Sequence, residues 1–143
     1  MSLKGEIQAN HDILEDLFEA VVMTLAGESS QLAVWVLDDQ LNFPQMKARR
    51  IGASSPFSES KSILAGSGLL MKLTRENVQN ILPLFRENDY LGYQILHLEI
   101  ESQGSVQFAA YDHFCVVFFG DQISLEMLER LKQRDIIQDY SIP

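Results

Sequence analysis

Residues 93–111 read YQILHLEIESQGSVQFAAY, and the alternation inside this run decides the fold class. Leu96, Leu98 and Ile100 alternate with His97, Glu99 and Glu101; Val106, Phe108 and Ala110 alternate with Gln107, Ala109 and Tyr111. A period of two on both sides of a polar turn marks an antiparallel hairpin. Turn length then sets the register, because a slip of one residue moves every side chain to the other face. A two-residue Gln103-Gly104 loop would set Ile100 against Gln107, apolar against polar. A three-residue Ser102-Gln103-Gly104 loop pairs Ile100 with Val106, Leu98 with Phe108 and Leu96 with Ala110, and places Gly104 at the left-handed position such loops need. The second register is the expected one.

Downstream, CVVFFG (115–120) reads as a strand buried on both faces. Ser124 caps a helix, SLEMLERLKQRD, with Leu125, Leu128 and Leu131 inward, and IIQDYSI offers a last edge strand. Upstream, Thr74 caps TRENVQNILPLFREN, which Pro83 is expected to kink or to end near Leu82. SILAGSGLLMKL reads as a strand in which Gly66 and Gly68 mark a bulge or a close backbone approach. QLAVWVLDD is a two-faced buried strand, and Met46 to Ile51 a short edge strand inside a long loop over 39–62. Residues 7–26 carry Ile7, Leu14, Leu17, Phe18, Val21, Val22 and Leu25 at helical spacing, with Asn10 or His11 at the start of the helix and Gly27 after its end. The sum is one α+β domain over 1–143. It has a largely antiparallel sheet of about five to six strands and three helices, in the order α-β-β(-β)-α-β-β-β-α(-β).

The chain has 143 residues, 46% of them hydrophobic and 22% charged, which is globular composition. A single cysteine leaves no internal disulfide, and no apolar run is long enough to span a bilayer, so a cytoplasmic protein without membrane contact is expected. The net charge of −9 argues against nucleic acid as a partner. The charge is uneven. Residues 40–75 hold Lys47, Arg49, Arg50, Lys61, Lys72 and Arg75 against Glu59 alone, a balance of +5, while the remainder stands at −14.

The stretch YDHFC (111–115) brings an acid, an imidazole and the only thiol within four residues. On a continuous strand Asp112 points away from His113, so it cannot orient the base of a triad, although His113 and Cys115 share a face. A cysteine opening an apolar run reads first as a small buried hydrophobe, and a hydrolase using Cys115 and His113 is the lesser alternative. A turn at Asp112-His113 would change that geometry. In the expected register His97 and His113 stand roughly 13 Å apart, too far to share a metal, and His97 with Glu99 makes an incomplete set. No metal and no cofactor is expected. Asp38-Asp39 reads as a solvated turn, and AGSGLLMK lacks the third glycine of a dinucleotide loop.

What remains is the basic segment. Lys47, Arg49 and Arg50 form the expected contact for an acidic partner, with Phe57 as a loop anchor and serines 54, 55, 58 and 60 nearby. The apolar face of the first helix raises a homodimer as a further expectation, beside ordinary core packing. The element order is similar to that of small acidic bacterial chaperones that bind secreted proteins, a likeness of order alone, with no motif behind it. The functional expectation is a non-enzymatic protein-interaction module of the adaptor, chaperone or immunity-inhibitor kind, steered by charge. The alternative is a ligand-sensing domain with a pocket near the 39–62 loop.

Overall fold

The hairpin lies mid-sheet in the computed structural model, which describes residues 3–57 and 63–143. The strands are β1 (Leu3–Ala9), β2 (Ser30–Val36), β3 (Arg49–Ile51), β4 (Ser67–Lys72), β5 (Ile95–Ser102), β6 (Ser105–Tyr111), β7 (Val116–Gly120) and β8 (Ile137–Ser141). The helices are α1 (Leu14–Leu25), α2 (Arg75–Glu87) and α3 (Leu125–Gln133). Among the described residues one sheet holds all eight strands, antiparallel throughout, in the order β3-β4-β2-β5-β6-β7-β1-β8. The α+β class and three helices stand as expected; the count of five to six strands is corrected to eight.

The missed strand is β1. Ile7 and Ala9 are buried while Glu6 and Gln8 are exposed, a period of two that blends into the helical pattern beginning at Leu14. β1 lies between β7 and β8, so both of its partners are more than a hundred residues away. Asn10 ends the strand and opens the helical segment, its Oδ1 accepting from the Asp12 N–H at 3.1 Å.

The hairpin register is corrected as well. Gln103 and Gly104 both have positive φ (54° and 90°), which makes a two-residue turn of the type that matches strand twist. Glu101 faces Val106, but Ile100 faces Phe108 and Leu98 faces Ala110, so Gln107 is an extra residue on β6. The bulge removes the apolar-against-polar mismatch that argued for a longer loop. Gln107 is buried, and its side-chain oxygen accepts from the Gln122 N–H at 2.9 Å.

All three helices pack on one face of the sheet. Leu17, Phe18, Val21 and Val22 of α1, Ile81 and Phe85 of α2, and Leu128 of α3 meet Leu32, Val34, Leu98, Ile100, Phe108 and Phe119 there. Burial of this face is the main stabilising term. The expected caps form: Thr74 Oγ1 accepts from Asn77 N–H at 3.0 Å and Ser124 Oγ from Met127 N–H at 3.1 Å. α2 runs through Pro83 to Glu87 rather than ending near Leu82; Pro83 sits on the exposed side of the helix. Leu125 is exposed, leaving Leu128 and Leu131 as the buried leucines of α3.

Among the described residues no helix lies over the opposite face. Ala33, Trp35, Leu70, Val106 and Ala109 form a second cluster there, roofed by Phe57 and Leu64 from the chain between β3 and β4. This roof is why β2 is buried on both faces. Gly68 makes the predicted close approach: a Cβ there would meet Ile51 Cγ1 at 2.7 Å and Trp35 Nε1 at 3.0 Å.

Candidate functional site

β3 is three residues long and pairs only with Gly68–Leu70 of β4, so the last part of β4, paired with β2 on its other side, has no strand beside it on the β3 side among the described residues. Lys47, at φ 54°, turns the chain away after the 3₁₀ turn Pro44–Met46. The gap is an open cleft of about 520 Å³. Lys47 and Arg49 line it from one side, Lys72 and Gln31 from the sheet, and Thr74 and Asn77 from the start of α2. Glu76 lines it too. Lys47, Arg49 and Lys72 are exposed, and none forms an ion pair among the described residues. The Lys72 carbonyl is taken by the Asn77 amide at 2.8 Å, which blunts this stretch of sheet edge against adding a strand. What the cleft presents is mainly cationic and amide N–H chemistry, three cations against the one carboxylate of Glu76.

The other expected contact residues lie apart from it. Arg50 donates to the carbonyls of Asp39 (2.9 Å) and Leu41, fastening the loop after β2, so its charge serves the scaffold. Phe57 is 4% exposed and turns inward from the roof onto the second cluster, so its ring is not at the surface. Ser54 bridges to Ile63. Ser58, Ser60 and Lys61 lie outside the described residues. The apolar face of α1 is consumed by the core, with Met23 alone of its large apolar side chains strongly exposed.

Under the roof sits a polar group that the strand pattern did not single out. Glu99 is fully buried on the face away from the helices. Its Oε1 accepts from Ser55 Oγ at 2.6 Å and its Oε2 from Tyr111 Oη at 2.6 Å. Burial first, then the hydrogen bond and charge of Glu99, push the Tyr111 hydroxyl well above its usual value, so it stays protonated and donates. Trp35 Nε1 donates to Gly52 O at 3.3 Å from the same side. Ser55 on the Glu99 carboxylate and Trp35 on the Gly52 carbonyl tie the β3–β4 connection to the sheet, while Tyr111 holds the carboxylate from the neighbouring strand.

The YDHFC stretch is a corner, not a straight strand. Asp112, His113 and Phe114 have φ of 53°, 56° and 66°, three successive left-handed residues without a glycine. Such backbone costs roughly 1–2 kcal/mol per residue. The burial of Phe114, whose ring lies 6.3 Å from that of Phe108, offsets it. Cys115 is exposed, which corrects the reading of a buried thiol. His113 Nδ1 is buried without a hydrogen-bond partner among the described residues, so this nitrogen takes no proton from Cys115 and is not oriented by Asp112. The true register also places His97 at the corner, not roughly 13 Å from it as the expected register had it. Its Nδ1 accepts from Asp112 N–H at 3.2 Å and its ring lies 5.8 Å from that of Tyr111. No group of three or more His, Cys, Asp and Glu side chains fit to hold a metal occurs among the described residues.

The chain was compared with protein-family models, curated proteins and solved structures. No match was found. The site therefore stands on its own geometry. Sequence reasoning found two of the three cleft cations but not their partners Lys72, Gln31, Thr74 and Asn77. Only the β4–α2 return brings these across from Lys47 and Arg49.

His97 gives a testable pH dependence. Burial holds its imidazole below the ordinary value of 6.5; the charge of Asp112 opposes this, that of His113 adds to it and that of Glu99 opposes it. Below about pH 6.5 the unfolded chain binds a proton that the folded protein refuses until the lower folded value is reached, so this contribution is complete above 6.5 and shrinks as pH falls. Urea midpoints from about pH 7.5 to about pH 5.5 are expected to fall more steeply in the wild type than in His97→Gln, which keeps an acceptor for Asp112 N–H. Parallel pH profiles would remove His97 as the cause.

Proposed function

We propose that the protein is a non-enzymatic, cytoplasmic interaction domain that binds an acidic segment of a partner protein in the cleft between β3, β4 and the start of α2. The observation that carries this reading is the convergence of Lys47, Arg49 and Lys72 on one cleft of a chain whose net charge is −9. On a body of net charge −9 an anionic segment is repelled by most of the surface and drawn to the one local cationic hollow. Of the basic pair at β3, Arg49 is the contact and Arg50 the clamp that holds the strand in place.

The test is titration of the protein with a fluorescent twelve-residue glutamate-rich peptide. Arg49→Glu is expected to weaken binding by about tenfold, with a smaller loss for Arg50→Gln. Raising salt from about 50 mM to about 300 mM should weaken the wild-type complex far more than that of the variant. Equal affinities in wild type and Arg49→Glu would end the proposal. The second reading, a small anionic ligand, is favoured by the cleft volume of about 520 Å³, within the range that takes small molecules. A stoichiometric anionic compound released from the purified protein on denaturation would establish it in place of the peptide.

A further inference from the structure

The cleft is not alone on this side of the molecule. A second, apolar hollow of about 210 Å³ lies between Phe43, Pro44, Met46 and Leu84, with Asn42 and Gln45 at its rim. Gln45 and Met46 line both cavities, so the Pro44–Met46 turn stands between them as a shared wall. α2 forms the floor line that joins them. Asn77 fronts the cleft and Leu84 the hollow. Seven residues along a helix return to within about 20° of the same face, so both side chains look out from one side of α2. The hollow is below the size that takes a drug-sized ligand and fits a single side chain.

Resting on the acidic-partner reading above, the geometry points to a bipartite ligand: an extended acidic segment that places one large apolar side chain in the hollow at Leu84. The rise from Asn77 to Leu84 is about 10 Å along the helix axis. An extended chain covers that distance in about three residues, so the apolar residue stands about three positions from the acidic pair. The cations supply steering and salt dependence, and the hollow supplies selectivity among acidic sequences, because one buried side chain adds affinity that no glutamate can replace. This chemistry specifies a peptide rather than an inorganic anion or a nucleic acid, which has no aliphatic side chain to offer.

The experiment uses the full chain and a family of labelled twelve-residue peptides, acetylated and amidated. Each carries two adjacent glutamates and one leucine at a spacing of one, three or five residues, on either side of the pair, with a serine version lacking leucine. Affinity is expected to peak at a spacing of three and to fall about tenfold when leucine becomes serine. Leu84→Gln should abolish the preference for leucine over serine, and Leu84→Met should retain it. Helical circular dichroism and an intact melting transition would show that Leu84→Gln is folded; if it is not, the leucine-to-serine comparison on wild-type protein decides alone. Peptides that bind through Arg49 with no regard to leucine would overturn the bipartite ligand and leave the acidic-partner reading standing. Absence of Arg49-dependent binding by any peptide would overturn both.

Discussion

Tyr111→Phe is expected to lower the free energy of unfolding by about 2–3 kcal/mol, a drop in Tm of roughly 5–10 °C for a domain of this size. The deleted atom is one hydroxyl, and the loss comes from what it leaves behind. Glu99 is fully buried and, among the described residues, accepts from two side-chain donors, Tyr111 and Ser55, each at 2.6 Å. With Tyr111 truncated, Oε2 loses its donor in a place where water does not replace it. A double-mutant cycle separates this from lost packing. In a Glu99→Leu background the carboxylate is gone, and Tyr111→Phe should then cost less than about 0.5 kcal/mol, since no buried acceptor depends on the hydroxyl. Additive costs in the two backgrounds would show that the hydroxyl acts independently of Glu99. Ser55→Ala should cost at least as much as Tyr111→Phe, because Ser55 also accepts from Phe57 N–H at 3.1 Å and its loss loosens the roof itself.

Gly5→Ala is expected to cost about 2 kcal/mol although it adds a single methyl group. The new Cβ would lie 2.3 Å from the Ser141 carbonyl oxygen and 2.7 Å from the Phe119 ring. Phe119 is a fully buried core ring, so it has nowhere to go. Ser141 ends an edge strand held by one neighbour, so the relief is for the end of β8 to peel away from β1. Hydrogen exchange locates the damage: amides of 139–141 should lose protection in Gly5→Ala while those of β5 and β6 keep it. A variant within about 0.5 kcal/mol of wild type with β8 protection intact would mean that the two strands separate freely at this point.

The strand β1 is the clearest example of what a local reading misses. β1 has a period-two pattern of only a few residues, and only Asn10, His11 and Asp12 separate it from the apolar spacing of the helix behind it. Read by itself, Ile7 extends the α1 stripe. Its strand identity comes from β7 and β8, which supply hydrogen-bond partners on both sides. The hairpin shows the same limit at finer scale. Alternation identified the two strands and put Gly104 in the turn, but the bulge at Gln107 is held by Gln122, fifteen residues on, and nothing within the hairpin announces it.

Cys115 was misjudged. The thiol begins an apolar run and reads as buried; the left-handed corner before it rotates the chain and leaves it exposed. Glu99, weighed from the sequence only as half of an incomplete metal set, is a buried acceptor because the segment carrying Ser55, Phe57 and Leu64 folds back over its face.

By itself the sequence determined what depends on neighbours a few residues apart. The Thr74 and Ser124 caps, the buried stripe of α1, the α+β class and the +5 segment on an acidic chain all follow from side chains competing for nearby backbone groups or sharing one local face. Only the tertiary structure decided the eight-strand order, the register, the roof over Glu99 and the assembly of Lys47 and Arg49 with Lys72 and Asn77. Those depend on which distant strands share hydrogen bonds, and that choice is made by burying the whole core at once rather than by any one stretch of chain.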